Sequence, residues 1–196
     1  MTDIFISTKN PNKLREFKRI CEPLGFRVLC ETDIGKTLPE IEETGNTFEE
    51  NARIKAVKGC EATGMITVAD DSGLCVDALG GAPGVFSARY SGEPCDDARN
   101  NALLLRNMEN VADGDRTAYF ESVIVCVFPD GRSFAVSGKC RGVIARDAAG
   151  SGGFGYDRVF ISSVGRFSEV SGDKKDSVSH RGRALAEFAE KIKEYI

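Results

Sequence analysis

The sequence predicts an α/β fold, and three observations predict it. Asp3-Ile4-Phe5-Ile6-Ser7 reads as a short buried strand, and beyond a polar loop Leu14, Phe17, Cys21 and Leu24 recur at helical spacing. A second apolar run, Met65-Ile66-Thr67-Val68-Ala69, ends at two adjacent acids, Asp70 and Asp71, followed by Ser72-Gly73. Residues 117–128 and 132–144 read as two long strands joined by the hairpin signal Pro129-Asp130-Gly131. Open α/β sheets hold their ligands beyond the carboxyl ends of strands. The two acids are therefore expected at a strand tip, where their mutual repulsion calls for positive charge, most simply a divalent cation.

Taken in order, the elements sharpen this picture. In the first loop, Thr8-Lys9-Asn10-Pro11-Asn12-Lys13, Asn10 is a good N-cap and Pro11 suits the first helical position. A strand followed by a capped helix presents backbone amides and the positive helix end to an anion, with Lys13 added in the first turn. The loop lacks the G-x-x-x-x-G-K-[ST] pattern of a Walker A motif. Residues 26–29 read as a second strand, and residues 33–46 as a polar, turn-rich segment carrying Glu40, Glu42 and Glu43. A solvated loop is the ordinary explanation of that acidic cluster. Thr47 with Glu50 forms a capping box for a helix whose stripe is Phe48, Ala52 and Ala56, with Asn51 and Lys55 on the adjoining edge.

Beyond the acids, Gly80, Gly81, Pro83 and Gly84 set an unusual backbone path, with Arg89 close behind. Residues 96–107 read as a helix with Ala98, Ala102 and Leu105 at helical spacing and with Leu103 and Leu104 widening its apolar surface, as for a helix covered on more than one side. Gly150-Ser151-Gly152-Gly153-Phe154-Gly155-Tyr156-Asp157 has the glycine content of a linker. It leads straight into a strand, however, and pairs close backbone approach with aromatic stacking faces. The last helix buries Leu185, Phe188, Ala189 and Ile192 and places His180 and Arg181 in its first turn. Basic residues there oppose the helix dipole unless an anion faces them, so the single histidine reads as functional.

Composition narrows the classes of function. The 196 residues, 41% hydrophobic and 29% charged, describe one globular domain with a substantial core. A net charge of −4 speaks against a nucleic-acid groove or an anionic membrane surface. Seven cysteines form no C-x-x-C pair and, with one histidine, make a zinc site a poor fit. Reduced thiols, no signal peptide and no apolar run of about 20 residues set the expectation of a cytoplasmic protein.

Cations thus come from Lys13, from Lys55, and from Lys175 with His180 and Arg181; carboxylates come from around Glu42 and from Asp70-Asp71; aromatics come from the glycine-rich segment. A nucleoside triphosphate is the simplest ligand that needs all three. The same residues resemble the inosine triphosphate pyrophosphatase family, also called the dITP/XTP or non-standard purine nucleotide pyrophosphatases. The likeness runs through Thr8-x-Asn10-x-x-Lys13, Glu42-Glu43-Thr44-Gly45 with Phe48-x-x-Asn51, Ala69 to Leu74, Gly80-Gly81-x-Pro83-Gly84, Ser87 to Tyr90, Gly153 to Asp157 and Ser179-His180-Arg181, in the family's order.

The resemblance implies an elongated, two-lobed α/β fold with a long twisted mixed sheet flanked by helices, usually a homodimer. It implies magnesium-dependent cleavage of ITP, dITP and XTP to the monophosphate and pyrophosphate. Carried over residue by residue, Thr8, Lys9, Asn10, Pro11, Asn12 and Lys13 would bind substrate phosphate, and Lys55 the phosphate near the scissile bond. Glu42 and Asp71 would hold magnesium, Asp71 would also accept the proton, and Ser72 would touch substrate. Phe154, Gly155, Tyr156, Asp157, Lys175, His180 and Arg181 would frame base and sugar. The sequence departs from the family's pattern at Lys9, Arg158 and Asp176, and none of these departures removes a group with a stated chemical role. A pyrophosphatase for pyrimidine or modified nucleotides would share much of the fold. A non-catalytic nucleotide sensor would be expected to lack Glu42, Asp70 and Asp71.

Losing a charge-assisted phosphate contact costs about 1.5–3 kcal/mol. Lys13→Ala and Lys55→Ala are each expected to lower kcat/KM on ITP roughly tenfold or more, and Lys9→Ala to leave it near wild type. Steady-state kinetics on the three variants checks this; if Lys9→Ala were the most damaging, the loop would be in the wrong register.

Overall fold

A computed structural model describes residues 2–196. Its strands are β1 (Thr2–Ile6), β2 (Phe26–Leu29), β3 (Thr67–Val76), β4 (Thr117–Val127), β5 (Ser133–Ile144), β6 (Phe160–Ser162) and β7 (Gly165–Arg166). They hydrogen-bond in the order β2-β1-β3-β4-β5-β6-β7. β1 runs parallel to β2, with Thr2 opposite Phe26, and to β3, with Ile6 opposite Val68. β5 to β6 and β6 to β7 are antiparallel, so the sheet is mixed. The helices are α1 (Pro11–Cys21), α2 (Phe48–Thr63), α3 (Asp97–Asn107), α4 (Gly172–Asp176) and α5 (His180–Lys191). This is the α/β class that the alternation of strands and helices predicts.

The chain forms two compact units. The first comprises the chain up to Asp71, Ser122–Gly138 and Gly182–Ile196; the second comprises Ser72–Glu121 and Lys139–Arg181. In the first, Ile4 and Ile6 of β1, Phe17 of α1, Val28, Ile124, Phe134 and Val136 of the strands and Leu185, Phe188 and Ile192 at the chain end share one core. Each such buried side chain is worth about 1.5–3 kcal/mol of transfer free energy. A separate cluster sets Ala52, Ala56 and Cys60 of α2 against Ala69, Val125 and Val127. Small side chains on both sides let α2 approach the sheet closely, which brings the neighbouring Asn51 and Lys55 within reach of β3. In the second unit, Leu74, Val76, Leu104, Met108, Phe120, Tyr156, Phe160 and Phe167 form the core, with Phe120 edge-on to Phe160 at 4.8 Å.

Both helix starts are built as their sequences require. Asn10 Oδ1 accepts the N–H groups of Asn12 (2.9 Å) and Lys13 (3.3 Å), with Pro11 as first helical residue. Thr47 and Glu50 close a reciprocal capping box. Such caps contribute about 1 kcal/mol each, and here they also fix where Lys13 and Lys55 begin.

Two local expectations are corrected. β3 does not end at the acids but continues through Asp70, Asp71 and Ser72 to Val76. Both carboxylates have cationic partners inside the fold, so the strand need not break to expose them. On α3 the buried positions are Asn100, Asn101 and Leu104, whereas Ala98 and Ala102 are exposed. Here polar side chains with specific backbone partners override the apolar stripe, because Asn100 and Asn101 reach the carbonyls of Ala88 and Gly155.

No helix among the described residues is long and apolar enough to cross a membrane. All seven cysteines are free. Cys21, Cys60, Cys75, Cys126 and Cys140 are buried, Cys30 is partly exposed and Cys95 is exposed. Burial pushes the thiols of Cys21 and Cys126 up to about 12, so they hold their protons and stay unreactive at pH 8. A thiol-reactive chromophore at pH 8 is expected to titrate Cys95 and Cys30 in the native protein and all seven thiols after denaturation. Rapid reaction of more than two native thiols would contradict this packing.

Candidate active site

Successive side chains of a strand point to opposite faces, and this separates the two acids of β3. Asp70, 4% exposed, turns to Lys13, whose Nζ lies 2.6 Å from Oδ1 and also donates to the Asp70 carbonyl at 3.4 Å. Ser122 Oγ donates to Asp70 Oδ2 at 3.0 Å. Asp71, 7% exposed, turns to α2, where Lys55 Nζ lies 3.3 Å from Oδ1 and Asn51 Nδ2 donates to Oδ2 at 3.3 Å. The positive charge that adjacent acids demand therefore comes first from two lysines, 57 and 16 residues away in sequence.

The polar loop ahead of α2 adds a third carboxylate. Glu43 Oε1 lies 3.0 Å from Lys55 Nζ, so Glu43 and Asp71 converge on one ammonium. Glu42, the expected metal ligand, is exposed, and Glu43 beside it is the acid brought to the cluster. Asn51 ties the loop down, its Oδ1 accepting the N–H of Gly45 at 2.8 Å.

Electrostatics follow from this burial. Desolvation pushes the Asp71 carboxyl above its ordinary range, against the opposing pull of Lys55 and Lys13. At Lys55 burial disfavours the charge, but Asp71, Glu43 and Asp70 outweigh it and hold the ammonium above its usual value. A carboxylate so raised is a stronger base than an exposed one.

The donor set also bears on a metal. No group of three or more His, Cys, Asp or Glu side chains suited to a metal occurs among the described residues. Two converging carboxylates, Asp71 and Glu43, are what the protein offers. Magnesium is usually held by one or two carboxylates with the rest of its shell from water and substrate phosphate, so the pair fits it.

In the first loop, Thr8 Oγ1 accepts the N–H of Asn10 at 3.2 Å, while the side chains of Lys9 and Pro11 are exposed and Asn12 is half-buried. The loop's inward charge is Lys13.

The second unit carries the remaining expected residues. Asp157, 2% exposed, pairs with Lys175, 5% exposed, at 2.7 Å, and its Oδ2 accepts the N–H of Phe154 at 3.0 Å. Only glycine fits at 153, where φ is +73° and a Cβ would lie 2.1 Å from Asp157 Oδ2. Two cations face the half-buried Phe154 ring, Lys175 Nζ at 4.8 Å and the Arg181 guanidinium at 5.8 Å from its centroid. Arg181 donates to Ser72 Oγ at 2.8 Å, and His180 stacks on Phe120 with centroids 4.7 Å apart. Tyr156 is buried, its hydroxyl donating to the Ser87 carbonyl at 2.8 Å.

Several of these partners are not evident from the sequence. Asn51 stands one helical turn before Lys55, which is a usable signal. Ser122 follows Glu121 where the polar residues of β4 give way to an apolar run. Glu43 stands in the acidic cluster beside Glu42, and Phe120 has no distinguishing pattern.

Comparison with known proteins gives a consistent result. The model of the Ham1 family matches residues 4–191. A dITP/XTP pyrophosphatase of Geobacter sulfurreducens is 48% identical over 188 residues, 95% of this chain and 94% of that one. Another from Desulforamulus reducens is 46% identical over 191 residues, again covering 95% and 94%. A HAM1 protein from Coxiella burnetii, of known structure, superimposes with a TM-score of 0.87 at 37% identity, covering 99% of this chain and 100% of that one.

The Asp157–Lys175 pair makes a stability prediction. Removing one partner of a buried ion pair leaves an uncompensated charge and costs about 3–5 kcal/mol. Lys175→Met is expected to destabilise by about that amount in urea denaturation at pH 7. A loss below about 1 kcal/mol would mean that Asp157 is solvated or otherwise compensated.

Proposed function

This chain belongs to the Ham1 family, and from that premise we propose that it hydrolyses ITP, dITP and XTP to the monophosphate and pyrophosphate, cleansing the nucleotide pool. It is a nucleoside triphosphate pyrophosphatase, a hydrolase acting on acid anhydrides. The observation that carries the reading is the convergence of Asp71 and Glu43 on Lys55, with Lys13 held by Asp70 alongside in sequence. Cations held by buried acids can turn to phosphate oxygens without being built anew.

In this reading Thr8, Asn10, Asn12 and Lys13 bind the phosphate chain, with Lys9 contributing its backbone N–H and Pro11, which has none, shaping the loop against the phosphate, and Lys55 serves the phosphate near the scissile bond. Water attacks the α-phosphorus: a bond forms from its oxygen to phosphorus, and the bond from phosphorus to the bridging oxygen breaks as pyrophosphate leaves. Asp71 orients the water and accepts its proton. Lys13 and Lys55 neutralise charge building on the transferred and departing oxygens. Magnesium is the proposed cofactor, held by Asp71 and Glu43, and when bound it supplies Lewis-acid polarisation and charge neutralisation.

Phe154 offers a stacking face to the base, worth about 1–3 kcal/mol, while Gly155 gives its backbone room and Asp157 with Lys175 holds the ring's loop. Tyr156, Ser72, His180 and Arg181 complete the base and sugar side. Donors matched to a 6-keto oxygen are left unpaired against an amino group, which supports discrimination of about 10²-fold or more against ATP. Free cysteines throughout suit a reducing, cytoplasmic setting, and a homodimer is the proposed assembly.

Pyrophosphate release across ATP, GTP, ITP, XTP and UTP tests the reading, with ITP and XTP expected fastest and excess EDTA expected to abolish turnover. Equal rates on UTP, or undiminished turnover in EDTA, would overturn the substrate class or the metal. Asp71→Asn keeps size and most hydrogen bonding but removes the charge; it is expected to abolish turnover while calorimetry still detects nucleotide binding. Near wild-type turnover would place the chemistry elsewhere.

A further inference from the structure

Helix α3 carries a buried amide with one half of its hydrogen-bonding capacity unused. Asn101 is 4% exposed, and its Nδ2 donates to the carbonyls of Asp97 (2.6 Å) and Gly155 (2.8 Å). Its Oδ1 is buried with no hydrogen-bond partner among the described residues. One turn earlier on the same helix, Asp97 Oδ2 accepts the N–H of Gly155 at 2.7 Å. Both backbone polar groups of Gly155 are thus held by side chains four residues apart on one helix face.

Gly155 is a place where such a hold matters. Its φ is +60°, in the left-handed region, and nothing lies within 4 Å of where a Cβ would stand. No neighbour confines it sterically, and glycine has the widest backbone freedom of any residue. It nevertheless sits between Phe154 and Tyr156, so its torsions decide where the Phe154 ring is presented.

The unpartnered oxygen bears on why an amide stands at 101. A buried acceptor without a partner is unfavourable, and an apolar side chain of similar shape would remove that penalty. An apolar residue would, however, strip the Gly155 carbonyl of its donor, so what the amide supplies at this cost is its pair of bonds to the Asp97 and Gly155 carbonyls.

We propose that Asp97 and Asn101 are positioning residues that fix the Phe154-Gly155-Tyr156 loop before substrate arrives, and so set nucleotide affinity rather than the rate of the chemical step. The inference rests on the reading that Phe154 receives the base. Each acts through the backbone of Gly155, lowering the ordering that binding would otherwise require.

The test combines kinetics, stability and hydrogen exchange on Asn101→Leu, Asp97→Ala and Asp97→Asn. Asn101→Leu and Asp97→Ala are expected to raise KM for ITP roughly three- to tenfold, the effect of one lost hydrogen bond, with kcat within about twofold of wild type. Asn101→Leu removes the orphaned oxygen but leaves the Gly155 carbonyl without its donor, two opposing effects, so its Tm is expected to stay close to wild type. Asp97→Asn keeps an oxygen for the Gly155 N–H and is expected to return KM close to wild type, although it loses the same charge as Asp97→Ala. In the absence of nucleotide, amide exchange across residues 154–157 is expected to quicken in Asp97→Ala and Asn101→Leu. Unchanged exchange overturns the proposal whatever the substrate, and so does an unchanged KM, or a loss of kcat that tracks a fall in Tm. A wild-type protein with a protected loop and no turnover of ITP would instead refute the functional reading, and the affinity claim with it.

Discussion

Two carboxylates in the middle of a buried strand constrain everything around them in the first unit. Asp70 and Asp71 cannot both be ionised inside the fold unless positive charge is brought to each, and the alternation of β3 sends them to separate lysines. Desolvation of an ion pair roughly cancels its Coulombic attraction, and well-packed apolar residues in such places are often as stable or more so. Two such pairs on adjacent residues are poor evidence of a stability device. They are readily understood as charge stored where a polyanion and a divalent cation are handled. The caps of α1 and α2, and the alanines that seat α2 against β3, are then the means by which Lys13 and Lys55 arrive at the correct depth.

The second unit handles a different problem with the same materials. Asp157, Lys175, His180 and Arg181 are all buried, which for charged or titratable side chains requires partners. Those partners are specific: Asp157 spans Lys175 and the Phe154 amide, Arg181 reaches Ser72, and His180 lies on Phe120. Each bond removes a freedom that a ligand would otherwise have to freeze on binding, which is the general basis of preorganisation. The aromatic residue at the centre of this network, Phe154, keeps part of its surface open while its cationic neighbours are held in place.

Much of this is legible in the sequence where local chemistry decides the outcome. Asn10-Pro11 and Thr47-x-x-Glu50 are capping signatures whose hydrogen bonds lie within four residues, and Pro129-Asp130-Gly131 is a turn of the same short range. The inward face of α5 follows from 3.6-residue periodicity and holds at Leu185, Phe188, Ala189 and Ile192. What is not legible depends on long-range pairing. Nothing near Asp70 in sequence announces Lys13, and with the lysines out of view the acids look like the end of a strand. Likewise the contact of Glu43 with Lys55 depends on the path of the loop, which the Asn51–Gly45 hydrogen bond holds and composition does not announce.

Helix α3 shows why such misreadings gather at sites. A periodicity argument favours Ala98, Ala102 and Leu105 because apolar burial is the largest favourable contribution to folding. The chain does bury Leu104, but beside it Asn100 and Asn101 also turn inward, where they bind the backbones of the two loops on either side in sequence. An asparagine interior is a worse core than a leucine interior, and it is retained only where a loop must be held in one conformation. Departures of a sequence from its own hydrophobic pattern are therefore informative in proportion to their cost. In this chain they mark the carboxylates of β3, the cations around Phe154 and the amides of α3, which together account for the chemistry that an α/β sheet alone does not supply.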